Sequence, residues 1–323
     1  MGEYFAVVGG MTGVTSLWTL LPTLAQLYGL IFACMGVGYV GVRFVPTSTT
    51  TGLAQALFWV GAPLTALSFI LTTTLTGSSS LAPLMAWVGM GLGVGLAWLW
   101  LRWQPAATRQ GAGSFLLATM VGNTGFIGYP IAWRLLGESH FSWALFYDLM
   151  GSLLISYSAG IGLAASFGQK YMSPTKLLWH IGRNPTLWCV GLGLALRQYP
   201  LPSIAQRGLL SVAWLMVLAG LVYMGMCLGE AKLRLDWSRI LPCLGIKMVL
   251  VPLLVGLGLT LTGIDGLPRL GIVLQSGMPP AFMTLVLADV YRLDRPFAAS
   301  LIMVSLLALV LLLPLWLLLF GVL

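Results

Sequence analysis

Charged residues are scarce in this sequence of 323 residues. Aspartate, glutamate, lysine and arginine together make up 7% of the chain, far below the roughly 25% that is usual in soluble domains. Hydrophobic residues make up 59%, and they are gathered into long runs. This composition excludes an ordinary soluble domain and predicts an all-α polytopic membrane protein.

Histidine and cysteine are also rare, with two histidines and four cysteines in the chain. His140 and His180 are far apart, and the cysteines are isolated in apolar stretches without a C-x-x-C pair, which argues against a metal site or a disulfide framework. An intramembrane hydrolase would need a Ser/His, paired-Asp or H-E-x-x-H constellation, and Asp148 is the one acidic residue deep in an apolar run. We therefore predict no metal, no cofactor and no enzymatic activity.

The net charge of +8 comes from lysines and arginines in short connecting segments. Because no segment combines a basic cluster with interleaved aromatic residues, we predict no nucleic-acid binding. Between these segments are ten apolar runs long enough to cross ~30 Å of hydrocarbon, at about 20–42, 51–74, 81–102, 113–135, 141–167, 184–199, 205–229, 238–262, 267–290 and 296–320.

Lysines and arginines in the connections between these runs are divided eleven to four between the two sides of the membrane. The positive-inside rule then predicts that the side with eleven is cytoplasmic. Both chain termini are predicted to be extracytoplasmic, and residues 1–17 are interpreted as a short extracytoplasmic lead-in.

Polar residues, glycine and proline interrupt the fourth and ninth runs, at Asn123–Pro130 (NTGFIGYP) and Gln275–Pro280 (QSGMPP). Broken backbone in a bilayer must face protein or a wet cavity, and one break in each half of a chain is typical of a secondary transporter's substrate site. The half-helix after each break begins with free N–H groups, which favour an anion such as a carboxylate. Proline kinks that only shape helix packing are the alternative.

Two charged residues lie inside predicted spans, where a charge is costly and usually marks an ion or substrate path. Asp148, in the fifth span, is interpreted as a proton-linked group or as an orienter of Asn123. Its alternative role is to bond backbone groups that the breaks open. Lys247, in the eighth span, is interpreted as a source of attraction for an anion, and the alternatives are snorkelling and structural pairing.

Several motifs of this chain resemble the auxin efflux carrier family, which includes bacterial permeases and the plant PIN-FORMED proteins. They are NTGFIGYPI at 123–131, YDL at 147–149, RNP at 183–185, SGMPPAFMTLVLADVYRLD at 276–294, AASLIMVS at 298–305 and PLW at 314–316. The chain departs from many relatives at 213–217 (AWLMV), where they have proline. It also lacks the long central loop of the large plant carriers, which favours a compact prokaryotic permease.

The resemblance implies ten transmembrane helices in two inverted five-helix repeats, similar to the bile-acid/sodium symporter fold. The repeats would be 1–167 and 184–323, joined by a cytoplasmic loop at 168–183. Broken helices 4 and 9 would cross in a mobile transport domain, and spans one, two, six and seven would form a scaffold used for homodimerisation. By position, the substrate-binding residues would be Asn123, Thr124, Tyr129, Pro130, Gln275, Ser276, Met278, Pro279 and Pro280.

We therefore predict a multi-pass permease of the bacterial inner membrane that moves small organic anions by an elevator-like mechanism, with proton coupling or by facilitated efflux. A sodium-coupled organic-anion symporter of the bile-acid type is the second hypothesis. Its sodium ligands would have to come from Asp148, Asn123, Thr124, Gln275 and Ser276. A membrane solute sensor without flux is the third.

Overall fold

A computed structural model of the protein describes residues 17–75, 77–106, 108–169 and 173–321. Within these ranges every regular element is a helix, apart from an isolated antiparallel bridge. The lead-in that the sequence predicts at the N-terminus lies almost entirely outside the described residues.

The helices agree closely with the apolar runs of the sequence. In chain order they are α1 (Leu17–Gly41), α2 (Thr47–Thr72), α3 (Ala82–Trp103), α4 (Arg109–Met120), α5 (Gly128–Phe167), α6 (Pro174–Gly182), α7 (Pro185–Leu196), α8 (Ser203–Glu230), α9 (Trp237–Leu261), α10 (Gly266–Ser276), α11 (Phe282–Val290) and α12 (Arg295–Phe320).

Seven helical segments in the described ranges are long and apolar enough to cross a membrane. The chain is therefore a polytopic membrane protein, as its composition predicted. Predicted spans four and nine are each built from two shorter helices, and predicted span six is α7. The 12 residues of α7 cover about 18 Å, which is less than the ~30 Å of a hydrocarbon core.

The long helix α5 is divided at Gly137, whose φ of 70° lies in the left-handed region that glycine adopts without a steric penalty. This change of direction separates the end of predicted span four from predicted span five. The segment predicted as a connecting loop at 168–183 contains the short helix α6.

The first break, residues 121–127, separates α4 from α5, and the second break, residues 277–281, separates α10 from α11. Pro279 and Pro280 remove two successive backbone donors, so a helix cannot continue through the second break. Pro130 lies in the first turn of α5, where a backbone donor has no helical acceptor, and it therefore favours a helix start.

The helices pack in two groups. The first helix group contains α1, α2, α7 and α8, and the second contains α3, α4, α5, α9, α10, α11 and α12, which surround the two breaks. Within the first group α8 approaches α1 very closely, because a Cβ atom at Gly225 would lie 1.9 Å from the carbonyl oxygen of Met35. Close backbone contact of this kind is how small residues join helices in a bilayer.

One end of the second helix group is joined by Arg239 at the start of α9. Its Nη1 donates to Asp294 Oδ2 at 2.8 Å and its Nη2 to the Gly111 carbonyl at 3.1 Å. Its guanidinium carbon lies 4.1 Å from the centroid of the Phe297 ring. One side chain therefore connects α9 to α4 and α12.

We expect Arg239→Met to lower the stability of the purified protein by about 1–3 kcal/mol, because it removes two hydrogen bonds from a half-buried charged group. Thermal unfolding in detergent measures the change. Arg234→Met, at an exposed position of the preceding loop, is the matched control and should unfold as the wild type does. Equal melting temperatures for Arg239→Met and the control would contradict the prediction.

Candidate substrate site at the crossing of two broken helices

The two breaks meet and hydrogen-bond to each other. The Asn123 N–H donates to the Pro279 carbonyl at 2.7 Å, and the Ala281 N–H donates to the Val121 carbonyl at 2.8 Å. The residues between these bonds form the isolated antiparallel bridge. Backbone groups that each break removes from its helix are therefore satisfied by the other break. We call this meeting point the crossing.

Asn123 organises the first break. Its Oδ1 accepts hydrogen bonds from the N–H groups of Phe126 at 3.2 Å and Ile127 at 3.4 Å, and its carbonyl accepts from the Gly128 N–H at 3.0 Å. Its Nδ2 donates to Met224 Sδ on α8 at 3.0 Å. Asn123 thus caps the N–H groups at the start of α5, so the prediction of free N–H groups is wrong for this half-helix.

Asp148 lies in a π-helical turn of α5 and is buried. Its carboxylate accepts hydrogen bonds from the hydroxyl groups of Thr124 and of Tyr129, the latter at 2.6 Å. Thr124 and Tyr129, both predicted as site residues, therefore bind the same carboxylate. Asp148 hydrogen-bonds to these two side chains and does not orient Asn123 directly. A Cβ atom at the partly exposed Gly125 would lie 3.4 Å from Asp148 Oδ2, so the first break passes directly over the carboxylate.

Gln275 and Ser276 end α10 beside the crossing, and both are buried. Gln275 Nε2 donates to the Ala144 carbonyl at 3.4 Å, and Ser276 Oγ donates to the Val273 carbonyl at 2.8 Å. Gln275 Oε1 has no hydrogen-bond partner within the described part of the chain. A buried acceptor without a partner is costly, which makes this oxygen a candidate to accept a hydrogen bond from a ligand. The second break itself adds buried Met278, Pro279 and Pro280.

Lys247 lies in a π-helical turn of α9 with 2% of its surface exposed. Its Nζ donates to the Met120 carbonyl at 3.5 Å and would lie 3.2 Å from a Cβ atom at Gly122. The ion pairs found in the described ranges do not include Lys247. Its ammonium therefore points into the crossing and does not snorkel to the membrane surface.

Helix α8 covers the crossing with a face that no motif in the sequence indicates. The ring of Phe126 lies over Gly220, where a Cβ atom would be 2.1 Å from it. Tyr223 makes an edge-to-face contact with Phe282, with ring centroids 4.9 Å apart. Phe126 lies just before α5 and Phe282 begins α11, the half-helices that follow the two breaks. Through α8 the first helix group therefore contacts both breaks.

A cluster of five aromatic side chains extends this contact between the two helix groups. Phe69 and Trp214 come from α2 and α8, and Tyr129, Trp133 and Phe141 come from α5. Neighbouring edge-to-face pairs in the cluster have centroids between 5.1 and 5.6 Å apart. Tyr129 therefore connects the Asp148 carboxylate to the interface between the groups.

A separate apolar cleft of about 370 Å³ lies between α3, α5 and α7. It contains none of the predicted site residues, and its lining is almost entirely apolar. It consists of Pro83, Trp87, Leu149, Met150, Leu154, Leu187 and Val190. The polar groups and charges that could recognise an ion or an organic acid are at the crossing.

Known proteins resemble this chain over both of its halves. Residues 171–317 match the family model described as "Membrane transport protein". A protein of Methanocaldococcus jannaschii named as an uncharacterized transporter is 28% identical over 211 residues, which are 63% of this chain and 67% of that protein. A second uncharacterized transporter, from Methanothermobacter thermautotrophicus, is 28% identical over 221 residues, which are 68% of this chain and 72% of that protein.

The family match includes the second break and helices α7 to α11. Both relatives carry the name of a transporter, and the motifs at the two breaks indicated the same family from the sequence. The chain is thus similar to membrane transport proteins over residues 171–317 and to two proteins named as transporters, in agreement with the auxin efflux carrier family that its motifs resemble.

Proposed function

We propose that the protein is a secondary transporter that carries small organic anions, such as carboxylates, through the crossing. The observation that carries the proposal is the reciprocal pair of backbone hydrogen bonds between Asn123 and Pro279 and between Ala281 and Val121. Broken helices of two repeats that meet inside a membrane are where secondary transporters bind their substrates.

The charges and dipoles around the crossing favour an anion. Helix α11 begins after Ala281 without a side-chain cap, so the positive end of its dipole is available to a carboxylate. The buried ammonium of Lys247 adds positive charge on the other side of the crossing. Gln275 Oε1 offers a hydrogen-bond acceptor for a hydroxyl group of the substrate. In the proposed site these groups act together with Thr124, Tyr129, Pro130, Ser276, Met278 and Pro280.

The proposal includes ten spans in two inverted five-helix repeats, 1–167 and 184–323. The count of ten spans is obtained when each pair of half-helices is one span and α5 is divided at Gly137 into two. The short helix α7 must then also cross the membrane. The separation into two helix groups supports an elevator-like movement of the second group against the first. We further propose that the first group forms a homodimer interface. Both termini would be extracytoplasmic, in a bacterial inner membrane.

Uptake into proteoliposomes tests this function. A panel of labelled malate, malonate, succinate and indole-3-acetate is offered to reconstituted protein, with and without an imposed proton gradient. We expect saturable uptake of at least one of these anions above the level of empty liposomes. Folded, reconstituted protein that takes up none of them under either condition would contradict the proposal.

Asp148→Asn tests whether the buried carboxylate carries the coupling proton. The asparagine keeps the size of the side chain and can hydrogen-bond both the Thr124 and the Tyr129 hydroxyl groups, accepting through Oδ1 and donating through Nδ2, but it cannot bind and release a proton. If Asp148 is the proton carrier, uptake that varies with pH in the wild type should become nearly independent of pH between about 5 and 8.

Glu138→Gln, at an exposed position outside the site, makes the same kind of change and serves as the control. It should keep the wild-type pH profile. An Asp148→Asn variant with the wild-type profile would assign Asp148 a purely structural role.

A further inference from the structure

Helix α4 ends at Met120, next to the first break, and the Met120 carbonyl faces the Lys247 ammonium. The carboxyl end of a helix carries about half a negative elementary charge, which water cannot screen in the middle of a bilayer. The Lys247 ammonium lies at this end, 3.5 Å from the Met120 carbonyl oxygen. A side chain from α9 thus brings a cation to the negative end of α4.

The ammonium also reaches the second break. A Cβ atom at Gly122 would lie 3.2 Å from Lys247 Nζ and 3.4 Å from the Met278 carbonyl oxygen. Lys247 Nζ and the Met278 carbonyl oxygen therefore both lie close to Gly122, at the point where the backbones of the two breaks cross. The intramembrane carboxylate of Asp148 is bonded to the first break through other side chains, and the described ion pairs leave Lys247 without a carboxylate.

In transporters with discontinuous helices, unwound carbonyls and the carboxyl ends of half-helices coordinate the coupling Na⁺. We propose that the Lys247 ammonium is a tethered cation that takes this position in the present protein, so that the crossing is held together without a diffusible Na⁺. One consequence is that uptake should be independent of Na⁺, and this consequence rests on the proposed function. The position of the Lys247 ammonium at the crossing does not depend on that function.

Two substitutions separate the charge of Lys247 from its packing. Lys247→Ala removes Cγ, Cδ, Cε and Nζ and leaves a space with the shape of n-propylammonium. Lys247→Met fills most of the same space with an uncharged chain. Both variants lack the charge of Lys247. Only Lys247→Ala leaves a space that an added cation can enter.

Thermal unfolding of the purified proteins in detergent tests the placement directly. Each variant is compared in choline chloride, sodium chloride and n-propylammonium chloride at equal ionic strength. We expect the wild type to melt at one temperature in all three salts. Lys247→Ala should melt lower in choline and recover by roughly 2–4 °C with n-propylammonium or Na⁺, and Lys247→Met should not respond.

Proteoliposome uptake of the carboxylate that the wild type accepts provides the second readout. Wild-type uptake should agree within about twofold between sodium and choline media. Lys247→Ala uptake should fall by at least tenfold in choline, which is about 1.4 kcal/mol, and rise again with n-propylammonium. Lys247→Met uptake should stay low in every medium.

Three results would overturn the inference: wild-type stability or uptake that requires Na⁺, wild-type uptake by Lys247→Met, or folded Lys247→Ala that responds to neither cation. The proposed function can fail separately. If the wild type took up no carboxylate while Lys247→Ala were restabilised by an added cation, the tethered cation would stand and the transport proposal would not.

Discussion

Asn123→Ala is expected to reduce uptake by about 100-fold or more, which corresponds to about 2.7 kcal/mol, while the protein remains folded. The asparagine side chain accepts hydrogen bonds from Phe126 and Ile127 and donates to Met224. Each buried hydrogen bond contributes about 1 kcal/mol, and leaving its partner unsatisfied costs about 1–3 kcal/mol. The loss should therefore disorder the first break at the place where the proposed substrate binds.

Proteoliposome uptake and thermal unfolding, measured on the same preparation, check this result. Asn184→Ala is the matched control, because Asn184 is also buried and caps a helix by accepting from the Thr186 N–H at 2.9 Å. It lies at the start of α7, outside the crossing. We expect both variants to lose similar stability and only Asn123→Ala to lose uptake. Wild-type uptake by Asn123→Ala would remove the first break from the mechanism.

Gly220→Ala is expected to reduce uptake to a similar extent by a steric route. A Cβ atom at Gly220 would lie 2.1 Å from the ring of Phe126, so the ring must leave its place or α8 must move away from the crossing. The contact between α8 and the first break is where the two helix groups meet. An elevator-like movement would have to break and re-form this contact in every cycle, so a displaced ring should block the cycle.

The control is Gly208→Ala on the same helix, where a Cβ atom would meet nothing within 4 Å. This variant should keep wild-type uptake. The double variant Gly220→Ala/Phe126→Ala removes the clash and should recover part of the lost uptake, because the two changes act on one contact and are not additive. A Gly220→Ala protein with wild-type uptake would contradict a role for this contact.

Much of the helical organisation was predictable from the sequence. Long apolar runs with few charges predict spanning helices, and seven such helices are found in the described ranges. The breaks were predictable because Pro279 and Pro280 cannot donate to a helix, and glycine and asparagine weaken it near Pro130. These are local effects of the backbone, and they do not depend on which helices are neighbours.

The contacts of Asp148 and Lys247 were not predictable in the same way. The sequence placed both charges inside spans and left open whether Asp148 orients Asn123 and whether Lys247 snorkels. In the structure Asp148 bonds Thr124 and Tyr129, and Lys247 reaches the Met120 carbonyl. Each contact joins elements whose relative positions depend on the packing of the whole second helix group.

The face of α8 that covers the crossing had no sequence signal. In a soluble helix the buried face stands out as an apolar stripe, but in a membrane helix the side facing lipid is apolar as well. Gly220 and Gly208 look alike in the sequence, and only the first is in contact with a ring. Small residues at helix interfaces are a general feature of membrane proteins. Their presence in the sequence does not indicate which helix or side chain they contact.

Local features of the chain are thus enough to predict a polytopic helical membrane protein with two broken helices, and its motifs resemble those of a transporter family. These properties follow from apolar run length and from missing backbone donors, which act along the chain. Three features depend on how the helices pack in the folded protein: the hydrogen bonds between the two breaks, the different partners of Asp148 and Lys247, and the contact of α8 with the crossing. Those contacts join residues far apart in the sequence, and a uniformly apolar helix surface does not specify them.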